Sequence, residues 1–508
     1  MKMKRTAIFV FALAALIGTG CKKSFLDVNT NPNSLPSATP AFVIANAMNV
    51  TSSNMLGLNE LGSYWSGQWT QSNGYILSTT YFSYVFTNGD FNYWDGFYDN
   101  LQDYQYVING ADAAGQAYFK GPAKVMKAFV FQHLVDLYGN IPFTDALKGV
   151  SSLAPKFDDQ KAVYEGLITM IDDGMNDIKS NAFESAYASS DIMFKGSQAK
   201  WLQFANSLKL RILNHQSRIS GRDGYIVAEV NKIVSSGSGW LTTSEASLNP
   251  GYLAAAGQLN PIYNNWGYSE TGAKRALNNF PRLTQFLVNS LKATNDTFRL
   301  KRYGYANGGE NGSNPGVSLN AEVITNYTGA PFGISSGFLP SACCALGPSL
   351  LVKGEFGRSY VLLTAAETLL TLAELKQRFP AVTLSGTAQS YYEDGVRQAF
   401  RLVGSSSTNA NALLASGVDN CDFTASTNKL SAIAYQKWLA LCNFNGVEAW
   451  TEYRRTRQPN TPQSVQVVNS DRPLRLFYPL TEFGSNGANV SAQGTIDVFK
   501  TKIFWDVN

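Results

Sequence analysis

The sequence predicts a mainly α-helical fold carrying a loop-rich insertion, on three observations. Apolar residues recur at helical spacing through residues 41–234 and 355–460. The stretch between them, residues 235–354, is dense in Gly, Asn, Ser and Pro and only patchily periodic. Apolar residues make up 44% of the 508 and aromatics 13%, which supplies a large core and rules out a disordered chain. Only 15% of residues are charged, and the formal charge is +4. That balance exerts no strong pull on nucleic acid or an anionic membrane. Two histidines, His133 and His215, are too few for a multi-histidine metal centre.

The chain opens with an export signal. Lys2, Lys4 and Arg5 precede the apolar run Ala7–Ile17, and Gly18-Thr19-Gly20 leads into Cys21. As a helix the run is about 16 Å long, half of a ~30 Å hydrocarbon core, so it directs export and does not span. Small residues before a cysteine resemble the bacterial lipobox, with Gly18 where Leu is usual, so Cys21 is the expected lipidation site. Residues 1–20 carry three cations and no anion, so their removal lowers the charge from +4 to +1. Residues 21–40, rich in Pro, Asn and Ser, read as a tether. Cys343, Cys344, Cys421 and Cys442 permit three disulfide pairings or free thiols, with no redox motif beside them.

Residues 41–508 read as one globular unit. Tyr93, Trp94, Phe97, Tyr98 and Leu101 fall at helical offsets. Gly121-Pro122 and Gly139 bracket a helix with Val125, Met126, Phe129, Val130, Leu134 and Leu137 on its apolar face. Ser197 caps another, with Trp201, Phe204, Ala205, Leu208 and Ile212 facing inward and His215 continuing that face as a core or rim histidine. Residues 359–377 and 387–402 predict a helical hairpin of tetratricopeptide type, close-packed at Tyr391, Gly395 and Ala399. Helices over 429–441 and 445–456 follow, and Arg454, Arg455 and Arg457 sit where cations favour a helix C-terminus.

The candidate binding residues are aromatics on loops. Residues 64–98 hold 13 aromatics, and from Ser24 to Phe119 there is no Lys or Arg. Stacked rings without cations do not make a nucleic-acid site. Interleaved with amides and hydroxyls, they suit a neutral ligand with apolar faces such as a sugar. Trp65, Trp69, Trp266 and Tyr268 are the expected stacking residues, with Gln68, Asn73 and Asn265 as hydrogen-bonding partners. Asp95 with Asp99, or Glu367 with Glu374, share helix faces as a glycosidase pair would, a spacing that also arises on ordinary helices. No hydrolase, zinc or phosphate-loop motif is present.

Several segments together resemble the SusD/RagB family of outer-membrane nutrient-binding lipoproteins, in its second SusD-like branch. They are Cys21 with Phe25-Leu26-Asp27-Val28-Asn29-Thr30-Asn31-Pro32-Asn33; Phe131-Gln132-His133-Leu134-Val135-Asp136-Leu137-Tyr138-Gly139-Asn140-Ile141-Pro142-Phe143; and Leu363-Thr364-Ala365-Ala366-Glu367 with Ala373-Glu374. Tyr391-Tyr392 with Gly395-Val396, the run Gln436-Lys437-Trp438-Leu439-Ala440-Leu441, Glu448-Ala449-Trp450-Thr451-Glu452-Tyr453-Arg454-Arg455-Thr456, and Arg475 with Tyr478-Pro479 continue it in order. The resemblance implies a SusD-like fold with tetratricopeptide-like hairpins as scaffold and irregular ligand-facing insertions. It also implies a non-catalytic surface lipoprotein that captures an oligosaccharide, or a peptide, for a SusC-type TonB-dependent transporter. Lys22 and Lys23 depart from the acidic residues that often follow the cysteine in exported members. The residues imply no cofactor and leave a structural Ca²⁺ open. A glycan-cleaving enzyme and a purely structural surface protein are the readings from other classes.

Overall fold

The structure is a computed structural model that describes residues 38–309, 320–467 and 471–508. The signal segment, Cys21 and the tether up to residue 37 lie outside the described residues. Helix α1 (Pro40–Trp65) leads into the short strand β1 (Trp69–Gln71), then α2 (Trp94–Gly110), α3 (Lys120–Tyr138) and α4 (Gln160–Ser180). Next come α5 (Gln198–His215), α6 (Asp223–Ser236), strands β2 (Ala246–Leu248) and β3 (Pro281–Leu283), α7 (Gln285–Ala293) and α8 (Thr297–Tyr303). Strand β4 (Tyr360–Leu363) precedes α9 (Ala365–Arg378), α10 (Ala388–Leu402), α11 (Ser407–Leu414), α12 (Lys429–Leu441), α13 (Gly446–Thr456) and α14 (Leu480–Ser491). The two sheets are antiparallel pairs, β1 with β3 and β2 with β4. Residues Pro40–Asn508 form one compact unit.

Local signals place the helices. The Ser197 hydroxyl accepts from the Lys200 N–H at the start of α5, and Gly139 ends α3 at φ 77°, a left-handed backbone where a Cβ would be strained. Thr387 and Ser390 close a reciprocal capping box on α10. One boundary differs from the sequence reading. Residues 360–363 pair with β2 as a strand, and α9 begins only after Thr364, whose hydroxyl caps the Glu367 N–H. The run Tyr-Val-Leu-Leu is apolar in either geometry, so periodicity over four residues does not separate strand from helix.

Helix pairs build the scaffold: α3 on α4, α9 on α10, and α1 against both α2 and α13. A Cβ on Gly395 would stand 2.7 Å from Leu370 Cγ, so the α9–α10 hairpin closes where the sequence reading placed it. The α1–α13 crossing is tighter still. A Cβ on Gly62 would meet the Gly446 carbonyl carbon at 2.3 Å, and one on Gly446 would meet the Asn59 carbonyl oxygen at 2.2 Å. Backbone lies on backbone there.

Charge is buried where α5, α9, α12 and α13 meet. Arg211 bonds Glu367 at 2.6 Å, His215 Nε2 meets Glu448 at 2.9 Å, and Arg455 joins Glu374 at 2.5 Å and Glu452 at 2.6 Å. Asp136 accepts from Tyr164 and, at 2.9 Å, from Trp505. Burial pushes the Glu448 and Glu374 carboxyls up, but the adjoining His215 and Arg211, and Arg455 and Arg378, hold them well below the ordinary carboxylate range. Burial lowers His215, and Glu448 and Asp136 more than restore it, so its affinity for a proton is raised. Arg455 thus neutralises two buried carboxylates, a role beyond the helix-end position read from the sequence. Arg454 stacks 3.8 Å from the Trp450 ring centre and donates to the Asp136 carbonyl at 2.6 Å. Cys343, Cys344, Cys421 and Cys442 are all buried free thiols.

Candidate ligand-binding site

Most of the expected stacking residues belong to the core. Trp65 is the last residue of α1, fully buried, with its indole N–H donating to the Tyr81 carbonyl at 3.0 Å and its ring among Tyr84, Phe86, Phe91 and Trp450. Trp69 sits in β1, donates to Asn443 Oδ1 at 2.9 Å and meets the buried Trp266 edge-on at 5.4 Å. Gln68 donates to the Trp438 carbonyl at 2.7 Å, inside the protein. Tyr268 packs with Tyr263 and lies under Lys353. These residues are corrected from ligand face to core: rings with 2% exposure or less have no free surface to stack on a sugar. The Gly/Ser/Gln context around Trp65 read as a loop, whereas α1 runs through it because Gly62 lets the helix lie directly on α13.

Asn73 is nearly buried and organises loops. Its amide donates to the Ile334 carbonyl at 3.0 Å and its Oδ1 accepts from the Phe338 N–H at 2.6 Å. Just beyond it in sequence Tyr75 and Ile76 are exposed, Ile76 to 96%. Tyr75 donates to the Ala276 carbonyl at 3.3 Å and meets Phe280 edge-on.

Asn265 lines an open cleft of about 540 Å³. One wall is a stripe on α1, Asn49, Ser53 and Leu56, spaced by four and three residues so that they share a helix face. The facing wall is the loop from Pro250 to Asn265, with Tyr252, Gln258 and Asn264 among its residues. Asn side chains fix that loop. Asn249 Oδ1 accepts from the N–H groups of Gly251 at 2.9 Å and Tyr252 at 3.2 Å. Asn260 accepts from Ile262 at 2.8 Å and donates to the Arg358 carbonyl at 2.7 Å. One π-helical turn, Tyr263–Gly267, then turns Trp266 inward and leaves Asn264 and Asn265 at the rim. No charged side chain lines the cleft, and Arg275, which donates to Asn264, is also paired with Glu270 at 3.5 Å.

The carboxylate pairs divide. Glu367 and Glu374 are consumed by Arg211 and Arg455, whereas Asp95 and Asp99 line a separate, acidic cleft with Trp94, Tyr98 and Glu482. His215, Glu448 and Glu452 lie close enough to hold a metal, but Arg211, Lys437 and Arg455 already pair with these carboxylates.

The family described as starch-binding associating with outer membrane, the second SusD-like family, matches residues 32–479. The chain belongs to this SusD-like family. Members are binding proteins rather than enzymes, and the family associates with the outer membrane. Among solved structures, a chitin-binding SusD homologue from Flavobacterium johnsoniae aligns at a TM-score of 0.72 and 21% identity, over 92% of this chain and 98% of its own. A SusD homologue from Bacteroides fragilis aligns at 0.74 and 20% identity, over 92% and 100%. Another, from Bacteroides uniformis, aligns at 0.72 and 21%, over 92% and 100%. At these identities the SusD likeness is one of fold, and that fold is the mainly helical one expected. No curated protein matches the sequence.

Proposed function

We propose that the protein captures an oligosaccharide in the cleft between α1 and the 250–265 loop and passes it to a SusC-type TonB-dependent transporter, held at the outer membrane by a lipid on Cys21. The observation that carries this reading is the cleft's chemistry in a chain of a starch-binding family: amides and hydroxyls from Asn49, Ser53, Gln258, Asn264 and Asn265 around the apolar Leu56 and Tyr252, with no charge. Neutral hydroxyl-rich ligands are bound by such groups through hydrogen bonds, while the apolar patches take ring C–H faces. Each hydrogen bond contributes on the order of 1 kcal/mol net, which favours capture and release over tight retention. No helix among the described residues is long and apolar enough to cross a membrane, so the lipid supplies the membrane attachment in this reading.

Calorimetric titration with starch- and chitin-derived oligosaccharides tests the site. Asn265→Ala and Gln258→Ala are each expected to weaken binding about fivefold. Unchanged affinity in both would remove the cleft as the site. Copurification of a TonB-dependent barrel with tagged protein from outer membranes tests delivery, and its absence would argue for a free-standing binder.

A further inference from the structure

Another cavity opens beside the C-terminal helix α14. It holds about 590 Å³, within the roughly 300–1,000 Å³ typical of small-molecule sites. Its lining comes from the loop at 86–88, from residues 477–478, and from α14 with the turn after it, up to Ile496. Backbone hydrogen bonds fix these walls. The Leu480 N–H, at the start of α14, donates to the Asn88 carbonyl at 3.0 Å, and the Leu474 N–H donates to the Val498 carbonyl at 2.8 Å. Phe86 meets Phe477 edge-on with ring centres 5.6 Å apart, and it also packs on the core ring of Trp65 at 5.6 Å. Phe483 shares the cavity-lining face of α14 with Val490, two turns on, and is 44% exposed. Among the described residues no charged side chain lines the cavity, and none bonds the Asn88 amide or the Ser491 and Thr495 hydroxyls. Three phenyl rings, an amide and two hydroxyls without internal partners therefore line one uncharged cavity. That pairing of rings with amides and hydroxyls was expected at Trp65 and Trp266, and it is met here by side chains that keep open surface.

We propose that this cavity is a second oligosaccharide site, for neutral pyranose chains with equatorial hydroxyls, as in β-linked glucose and N-acetylglucosamine. The inference rests on the oligosaccharide reading of the first cleft. An all-equatorial ring presents flat C–H faces and a rim of hydroxyls. Phe477 and Phe483 supply apolar surface for such a face, and Asn88, Ser491 and Thr495 supply donors and acceptors for the rim. An alkyl chain fits worse, since it would cover the amide and both hydroxyls and satisfy none of them. A charged ligand would lose water with no opposite charge to meet. The two cavities share no lining residue, so each site can be removed without touching the other.

The test is calorimetry of the full mature protein with cellohexaose and the N-acetylglucosamine hexamer, read for the number of molecules bound. Two molecules per protein are expected with at least one hexamer. Phe483→Ala and Asn88→Ala are each expected to weaken one binding event about fivefold while leaving the other event and the melting temperature unchanged. Asn265→Ala is expected to weaken only the other event. One bound molecule that is weakened by Asn265→Ala and indifferent to Phe483→Ala and Asn88→Ala overturns the second site and leaves the first standing. One bound molecule with the reverse sensitivities supports this site and removes the cleft between α1 and the 250–265 loop. Two events that both survive Phe483→Ala and Asn88→Ala overturn the inference, as does binding of neither hexamer, after which the starch-derived series decides the first cleft alone. Octyl glucoside bound more tightly than either hexamer, and lost with Phe483→Ala, overturns the sugar assignment in favour of an alkyl chain. A dimer in sedimentation that Phe483→Ala dissociates overturns it in favour of a second copy of the chain.

Discussion

The two faces of α1 differ in how completely their groups are committed. Inward, Leu58, Leu61, Gly62 and Trp65 are buried, and the crossing with α13 leaves no room for one added methyl group. Beyond that crossing the buried groups Arg211, His215, Glu367, Glu374, Glu448 and Arg455 each meet an opposite charge. Outward, Asn49, Ser53 and Leu56 border the cleft, across from Asn264 and Asn265 on the facing loop. A polar group committed to internal partners stabilises the fold and has nothing left for a ligand. Groups on the outer stripe contribute little to stability and keep their bonding capacity for something that arrives. In the proposed reading the same helix serves stability on one side and recognition on the other.

Substitutions can break this contrast, and the largest effect is expected at Gly62. Gly62→Val drives a side chain into the Gly446 backbone and should cost more than about 4–5 kcal/mol, read as loss of soluble protein or of a urea transition. Glu448→Ala strands His215 and Arg211 in the interior and should cost about 3–5 kcal/mol by urea unfolding. Trp65→Ala should cost about 3–5 kcal/mol as a core cavity, with glycan affinity unchanged in protein that still folds. A selective loss of glycan affinity would return Trp65 to the binding surface.

Acidity sharpens the contrast further. Glu374 and Glu448 bind protons more weakly folded than at their ordinary value of 4.5, so their stabilisation is present above that value and is lost as pH falls through their folded values. His215 binds its proton more strongly than at its ordinary 6.5, so its contribution is full below that value and is lost as pH rises through the folded one. Melting temperatures should thus fall in acid, and His215→Gln should flatten the alkaline side of the profile. The smallest effect on stability is expected at the cleft, where Asn265→Ala should stay within about 0.5 kcal/mol while weakening ligand binding.

The scaffold was legible because its signals are local. Ser197, Gly139 and Thr387 announce helix ends through capping chemistry, and Gly395 marks a close crossing, each within a few residues of what it controls. The family resemblance rests on the same scaffold: Glu367, Glu374, Glu448 and Arg455 lie in its motifs and meet in space at the junction. The site was less legible because it depends on which way each ring faces. Trp65 and Trp266 look alike in sequence to rings that line a sugar site, yet a glycine contact and a π turn point them inward. The stripe on α1 carried a readable signal, Asn49, Ser53 and Leu56 at helical spacing in a stretch without a cation, though the denser aromatics that follow drew the eye first.

Burial has a practical consequence for the four thiols Cys343, Cys344, Cys421 and Cys442. Desolvation raises them all, Cys421 to about 11 and Cys344 to about 12, so at neutral pH almost none of each is thiolate. The native protein therefore withholds these sulfurs from alkylating reagents and oxidants, and unfolding exposes them. Mass added by a thiol reagent then counts open molecules directly, with the native cysteines as the reporters.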